Sequence, residues 1–242
     1  MSTLPIHPNI ARYSNQTLLL DADDTLWENN IYFEQAIATF ITYLDHPVHT
    51  PEEVREHLNH CERRTIAAHG YGIHSFRRSL IDCFEQLSES PVTPEHHARI
   101  VTFTEAIAST EIELLPGVDE TLRELKQRHR LILVTKGDTI EQTDKLERSG
   151  LRPLFSKIEV LPEKNPEAYR DLIHRHNCNP SSTWMIGNSA KSDINPSLAA
   201  GLNAIFIPHD FTWVLEHEIV DAPTARERLL ELQSFSELLR HF

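Results

Sequence analysis

The sequence predicts an α/β protein with a Rossmann-like, doubly wound parallel sheet and an inserted helical domain. Short apolar runs without polar alternation are typical of strands buried on both faces, and they occur at residues 17–21 and 131–135. Further strand-like runs occur at residues 157–161, 183–187 and 203–207. Helical patterns separate the later runs, near residues 166–176 and 194–200. Strands that alternate with helices indicate crossover connections, so we expect the strands to be parallel.

A long segment, residues 28–113, lies between the first and second predicted strands. It is far longer than an ordinary crossover, and it carries helical patterns such as Phe33, Ile37 and Phe40 but no convincing strand. We therefore predict a helical cap domain over residues 28–113. The remaining residues, 14–27 and 114–242, would form the core.

Composition narrows the class of function. The chain has 242 residues with 40% hydrophobic and 24% charged, which is typical of a globular protein. A net charge of −13 argues against binding nucleic acid or an anionic membrane, because both require a basic surface. The first residues lack the regions of a signal peptide, and no apolar stretch is long enough to span a bilayer. We expect a cytoplasmic protein with three reduced cysteines.

A group of carboxylates follows the first predicted strand. Asp21, Asp23 and Asp24 come directly after three leucines, where like charges repel one another unless a cation, a proton or an electrophile lies among them. A turn with a helix cap explains the cluster equally well when it is taken alone. Polar residues also end the later strands, and these strand ends converge on one crevice in an open α/β sheet, which favours a functional site.

Four motifs follow one another along the chain. The first is Asp21-Ala22-Asp23-Asp24-Thr25 after a buried strand, and the second is a strand ending at Thr135. The third is Lys164 before Asn165-Pro166, and the fourth is Gly187-Asn188-Ser189 with Asp193. In this order and context they resemble the haloacid dehalogenase (HAD) superfamily of phosphohydrolases, and the resemblance covers nearly the whole chain. It implies a Rossmann-like core with a helical cap.

The resemblance implies a catalytic role for four residues. Asp21 is the nucleophile that forms an aspartyl phosphate, and Asp23 protonates the leaving alcohol and then activates water. Thr135 donates its hydroxyl to a phosphoryl oxygen, and Lys164 brings a positive charge to the nucleophile and the phosphate. Because Asp23 lies beside other carboxylates, we expect its pKa to be raised, although a bound cation would oppose that shift.

The negative charge of these carboxylates and a phosphate predicts a divalent cation, for which Mg²⁺ is the natural choice. The resemblance implies that the ligands are the Asp21 carboxylate, the Asp23 main-chain carbonyl, Asn188 and Asp193. Asn188 stands where the family usually has Asp, so one carbonyl ligand is kept and one negative charge is lost. We expect weaker metal affinity, with Asp193 compensating, rather than loss of activity.

The substrate is expected to be a small phosphorylated metabolite over which the cap closes. Main-chain N–H groups around Lys136 and Gly137 would complete the phosphate site. Two glycines interrupt the helical pattern at residues 69–74, so Tyr71 and His74 are candidates to reach the crevice. Arg77, like the other members of the Arg63-Arg64 and Arg77-Arg78 pairs, would bind an anionic tail of the substrate or lie on the solvated surface.

These patterns predict a Mg²⁺-dependent phosphatase that acts through Asp21. By resemblance, Asp23 favours phosphate ester chemistry over the dehalogenases and the phosphonate-cleaving branch, which lack an acid there. A phosphomutase of the same superfamily, or a non-catalytic protein that binds a phosphorylated ligand, is the alternative. Residues 225–242 have the apolar pattern of one or two packed helices or of a dimer surface, and the sequence leaves monomer and homodimer open.

Overall fold

Six parallel strands form the central sheet of the computed structural model, which describes residues 13–89, 91–220 and 227–242. The strands are β1 (Thr17–Leu20), β2 (Arg130–Lys136), β3 (Lys157–Leu161), β4 (Thr183–Gly187), β5 (Asn203–Phe206) and β6 (Leu229–Glu231). Their order is β3-β2-β1-β4-β5-β6, and each neighbouring pair is parallel. The predicted Rossmann-like, doubly wound sheet is thus confirmed. Its order changes direction beside β1, where such folds place their ligands.

Helices cover both faces of the sheet and build the cap. They are α1 (Asn30–Leu44), α2 (Pro51–His69), α3 (Ile73–Leu87), α4 (Pro94–Ser109), α5 (Val118–Lys126), α6 (Thr139–Arg148), α7 (Pro166–Arg175) and α8 (Asn195–Ala199). Leu18 and Leu20 pack in the cluster that contains α5 and α6, and Leu19 packs in the cluster that contains α7. Because Leu18, Leu19 and Leu20 are buried on both faces of the sheet, this part of β1 is apolar throughout.

The four helices α1 to α4 enclose a hydrophobic core of their own, which includes Phe40, Leu58, Leu80 and Ile100. The two chain segments that join these helices to the sheet run side by side. Glu28 N–H donates to the Glu113 carbonyl at 2.9 Å. The separate core and the paired connections support residues 28–113 as the cap, and that boundary remains our proposal.

The C-terminal segment differs from its sequence prediction. Residues 225 and 226 lie outside the described residues, while the rest forms strand β6 and a 3₁₀ helix, Phe235–Arg240, instead of one or two α-helices. Leu230 pairs with Ile205 at the edge of the sheet, and Leu232 and Phe235 belong to the main core. The apolar residues follow the contour of the core rather than one face of a regular helix.

Within residues 13–89, 91–220 and 227–242, no helix combines the length and the apolar composition that crossing a bilayer requires.

Candidate active site

The carboxyl ends of β1, β2 and β4 bring the four sequence motifs to one place. Lys164 lies at the centre, 4% exposed. Its Nζ is 2.5 Å from Asp21 Oδ1 and 2.7 Å from Asp193 Oδ1. Three of the residues singled out in the sequence therefore meet as one buried carboxylate–ammonium–carboxylate group.

Local backbone features fix the positions of Lys164 and Asp193. Asn165 caps α7 by accepting the Ala168 N–H at 2.8 Å, and Pro166 begins the helix, so Lys164 leaves the helix start toward the sheet. Asp193 packs against Gly187 at the end of β4. A Cβ atom on Gly187 would lie only 2.1 Å from Asp193 Oδ2, so this position requires glycine.

The charges of Asp21, Lys164 and Asp193 are not balanced, and a further positive charge would stabilise this buried group. Burial and the nearby Asp21 carboxylate raise the pKa of Asp193 to about 7, although Lys164 opposes the shift. Burial disfavours the charge of Lys164, but attraction to Asp193 and Asp21 outweighs it and holds the lysine pKa above its usual value. One ammonium thus does not fully offset the crowding of two carboxylates.

Asn188 directs its carbonyl oxygen toward this group. Its Oδ1 lies 3.1 Å from the Thr25 hydroxyl, which also contacts Asp21 Oδ2 at 3.0 Å. On its other side, Nδ2 donates to Thr212 Oγ1 at 3.0 Å. The Thr212 hydroxyl donates its proton to the His209 carbonyl, so it must accept from Asn188, and this determines the amide orientation.

The donor set formed by Asp21, Asn188 and Asp193 fits Mg²⁺. It consists of two carboxylates and one amide carbonyl, which are the hard oxygen ligands that Mg²⁺ prefers. The raised pKa of Asp193 points the same way, since a cation relieves the repulsion that causes it.

Asp23 departs from its sequence prediction. Burial opposes its ionisation, but Lys145 Nζ at 2.8 Å, Gln142 Nε2 at 2.9 Å and Trp27 Nε1 at 2.7 Å stabilise the carboxylate. The pKa of Asp23 is therefore lowered, and the expected rise is wrong in this structure. Gln142 and Lys145 stand three residues apart on α6, a spacing that puts both on one helix face and was the available sequence signal.

Asp24 has a structural role. Its backbone is left-handed, with φ of 58°, and its Oδ1 accepts the N–H groups of Asn29 and Asn30 at 2.9 Å each, at the start of α1. Burial raises its pKa to about 7. The turn-and-cap interpretation describes this carboxylate. Glu28 and His209 lie beside Asp24. Each of the three residues has one atom that could bind a metal, and these atoms lie within 4.8 Å of one another.

Thr135 and the two residues after it line the cavity above Asp21. Thr135 is 1% exposed, and its hydroxyl lies 3.3 Å from Gln142 Oε1. Gly137 has φ of 146°, which favours glycine.

Lys136 is held by a residue that the sequence analysis missed. Its Nζ donates to Glu216 Oε1 at 2.6 Å and to Ser192 Oγ at 2.8 Å. Glu216 is buried, and Ser189 donates to it at 2.7 Å. It therefore ties β2 to the loop of the fourth motif. Glu216 stands in a 3₁₀ turn, Val214–Glu216, after the last motif, and no pattern distinguishes it from other acidic residues.

The cap reaches the core through Tyr71. Its hydroxyl donates to Glu163 Oε2 at 2.8 Å and accepts from Lys136 Nζ at 3.2 Å. The ammonium of Lys136 also lies 4.4 Å from the centre of the Tyr71 ring, a cation–π distance. Trp213 packs edge-on against the same ring, 6.4 Å between centres, and lines the cavity.

Glu141 forms a second contact between cap and core. Both of its carboxylate oxygens lie 3.0 Å from the Ile73 N–H at the start of α3. The spacing of Asp138 and Glu141 in the sequence is that of a capping box. Asp138 does cap α6, by accepting from the Ile140 and Glu141 N–H groups. Glu141 thus binds the cap instead of completing a capping box on its own helix.

Two of the proposed substrate-binding residues lie apart from this cavity. His74 is exposed, and Arg77 Nε donates to Thr104 Oγ1 at 2.8 Å within the cap. Neither belongs to the described residues that line the cavity. Arg63 and Arg78 are at least half exposed, next to Glu56 and Asp82. A role for His74 or Arg77 would require a movement of the cap.

The cavity has a volume of about 170 Å³ and runs from Asp21 to the inner side of α2. Its cap wall is mostly apolar and is formed by Phe33, Ile37, Glu62, Ile66, Phe76 and Ser79, together with the Tyr71 loop.

The family model for haloacid dehalogenase-like hydrolases matches residues 16–201, and the chain belongs to this family. A haloacid dehalogenase-like family hydrolase from Xanthomonas campestris has 31% sequence identity and a TM-score of 0.80, over 95% of this chain and 92% of that one. The fold and the order of the motifs agree with this membership.

Two curated phosphatases are similar over shorter segments. The glyceraldehyde 3-phosphate phosphatase of Methanothermobacter thermautotrophicus is 33% identical over 103 residues, 40% of this chain and 46% of that protein. The N-acylneuraminate-9-phosphatase of Homo sapiens is 30% identical over 112 residues, 44% of this chain and 43% of that protein. The matches thus span less than half the length of either relative.

Proposed function

We propose that this protein is a Mg²⁺-dependent phosphatase that hydrolyses a small phosphorylated metabolite through an aspartyl phosphate on Asp21. The observation that carries the proposal is the Lys164 ammonium between Asp21 and Asp193 in the cavity between core and cap. Family membership and the phosphatase activity named for two relatives support it.

In the first step, an Asp21 oxygen attacks phosphorus while the bond from phosphorus to the ester oxygen breaks. Asp23 gives a proton to the departing oxygen, so an alcohol leaves. For this step Asp23 must carry a proton, which the Lys145 ammonium disfavours. The ammonium keeps its contacts with Asp23 Oδ1 and Asn29 Oδ1.

In the second step, Asp23 takes a proton from water, whose oxygen attacks phosphorus while the bond from phosphorus to the Asp21 oxygen breaks. Inorganic phosphate leaves, and the Asp21 carboxylate is restored. The contact with Lys145 assists here, because it stabilises the carboxylate form that a general base requires. The contact with Lys145 therefore favours the second step over the first.

Lys164 and Thr135 bind the phosphoryl oxygens, and Lys164 also orients Asp21. Asp21, Asn188 and Asp193 would hold Mg²⁺, which neutralises phosphate charge when bound. The main-chain carbonyl of Asp23 is a further proposed ligand.

The test is the release of inorganic phosphate from a chromogenic phosphate ester, with and without Mg²⁺. We expect Asp21→Asn to abolish turnover, because the nucleophile is lost, while Asp144→Asn on the exposed side of α6 keeps it. Near-normal hydrolysis by Asp21→Asn would falsify the mechanism. Phosphate that appears on another hydroxyl instead of in solution would indicate a phosphomutase.

A non-catalytic phosphate-binding protein is the second candidate, and the neutral Asn188 favours it. Beryllium fluoride with Mg²⁺ mimics a phosphorylated aspartate, so it distinguishes the two. Absence of both turnover and Mg²⁺-dependent trapping would favour the binding protein.

A further inference from the structure

The cap wall of the cavity carries one charged side chain. Among the described residues of α1 to α3 that line it, Phe33, Ile37, Ile66 and Phe76 are apolar, and Glu62 alone is charged. A lone carboxylate in such a wall is costly to bury, so it calls for a partner.

Glu62 is only partly compensated by the protein. It is 5% exposed, and its Oε2 lies 3.4 Å from Arg55 Nη1. Arg55 makes a closer contact with Glu34, 2.8 Å from Nη2 to Oε1. One guanidinium thus serves two carboxylates. Within the described part of the chain, Glu62 Oε1 accepts no hydrogen bond, so this oxygen is available to a ligand.

The pKa of Glu62 agrees with that geometry. Burial raises it to about 7, and the attraction of Arg55 only partly opposes the shift, while Glu34 adds to it. A donor or a cation placed against Glu62 would remove this penalty.

Cations on the opposite wall are already paired. Lys164 contacts Asp21 and Asp193, Lys145 contacts Asp23, and Lys136 contacts Glu216. Among the described residues that line the cavity, there are no other lysines or arginines. The reacting phosphate would bind Lys164. Among the described residues that line the cavity, no unpaired cation therefore remains for a second anionic group of the substrate.

We propose that the wall around Glu62 is the subsite for the leaving group, which donates a hydrogen bond to Glu62 from a hydroxyl or an ammonium and carries no second anionic group. This inference rests on the proposed phosphatase function. The apolar side chains on either side of Glu62 would cover the carbon chain between phosphate and donor. Phosphorylated amino alcohols and polyols fit this description, and phosphorylated carboxylic acids do not.

The test compares four esters that share a three-carbon leaving group: propyl, 3-hydroxypropyl, 3-aminopropyl and 2-carboxyethyl phosphate. With the wild-type protein and Mg²⁺, we expect kcat/KM for the hydroxyl or amino ester to exceed that of the carboxylate ester by at least about tenfold. The ratio of the hydroxyl and amino esters identifies which donor is used. A carboxylate ester hydrolysed as well as these two would overturn the inference.

Glu62→Gln keeps the shape of the side chain and removes its charge. We expect this variant to lose most of the preference for the amino ester over the carboxylate ester. Glu56→Gln makes the same change on the exposed face of α2 and should leave the ratio unaltered. An unchanged ratio in Glu62→Gln would contradict the subsite, and if that variant does not fold, the wild-type ratios decide.

Failure of the subsite and failure of the phosphatase proposal give different results. If none of the four esters is hydrolysed, the phosphatase proposal fails. Calorimetric binding of the same esters to the wild-type protein then tests the subsite without turnover, and equal affinities for the amino and carboxylate esters would overturn it.

Discussion

Asn188 differs from an aspartate by one negative charge and by one hydrogen-bond donor. The structure uses both differences, because Nδ2 binds Thr212 and Oδ1 faces Thr25 and Asp21. The amide is thus held by partners on both sides, as a neutral ligand with fixed orientation. Compared with an aspartate at this position, Asn188 gives the site one negative charge fewer but still provides an oxygen atom that can bind a metal.

Asn188→Asp should tighten Mg²⁺ binding by about tenfold, since affinity for hard cations depends on the number of charged oxygen ligands. Calorimetric titration with Mg²⁺ measures the change without reference to turnover. Asn179→Asp is the matched control, because it adds the same charge at an exposed helix cap. Unchanged or weaker Mg²⁺ binding in Asn188→Asp would remove this side chain from the ligand set.

The sequence was sufficient to predict the site residues that belong to the four motifs. It was not sufficient to predict the residues outside the motifs that bind to their side chains. Asp21, Lys164 and Asp193 meet as expected, because each follows or lies near a strand end. Lys145 and Glu216 belong to no motif, and their roles depend on how a helix face and a late turn pack against the sheet. Such contacts join residues far apart in the chain.

At the scale of secondary-structure elements, the cap contacts the core at two places. Tyr71 contacts Glu163 and Lys136, and the first turn of α3 places the Ile73 N–H on Glu141. The glycines around Tyr71 marked this loop in the sequence. The partner of Glu141 was not predictable, because a capping box within its own helix explained the same residue equally well.

Helix α2 carries the buried Glu62, so the stability of the protein should depend on the ionisation of this residue. Its pKa is about 7 in the folded protein, against an ordinary value of 4.5. Between these two pH values the unfolded chain releases the proton and the folded protein keeps it. Folding is therefore favoured below pH 4.5, and this contribution is lost as the pH rises through about 7.

Glu62→Gln should remove this dependence. The free energy of unfolding of the variant, minus that of the wild type, should increase by up to about 3 kcal/mol between pH 5 and pH 8. Urea unfolding at both pH values measures it, and the subtraction cancels titrating groups that do not interact with Glu62. Arg55, Glu34 and Cys61 surround the carboxylate, and they are unchanged in both proteins. A difference that is equal at pH 5 and pH 8 would contradict the raised pKa.

At the scale of the whole molecule, the alternation of strands and helices was sufficient to predict the parallel sheet. The C-terminal segment was not predictable in the same way. Strand β6 has three residues, too few to display a period, and it exists because β5 offers an unpaired edge. Tertiary contacts thus determine the last part of the fold.

Phe242 tests how strongly that last part stabilises the molecule. Its side chain is fully buried, and its ring lies 5.5 Å from those of His129 and Trp184 and 5.6 Å from that of Tyr13. Phe242→Ala should lower the free energy of unfolding by about 3–5 kcal/mol, because a large cavity would open beneath the sheet. Ile219→Ala, at a site that is 88% exposed, is the control and should change it by less than about 0.5 kcal/mol. Urea unfolding followed by tryptophan fluorescence measures both variants. An equal, small loss in the two would mean that the C-terminal segment packs on the core without stabilising it.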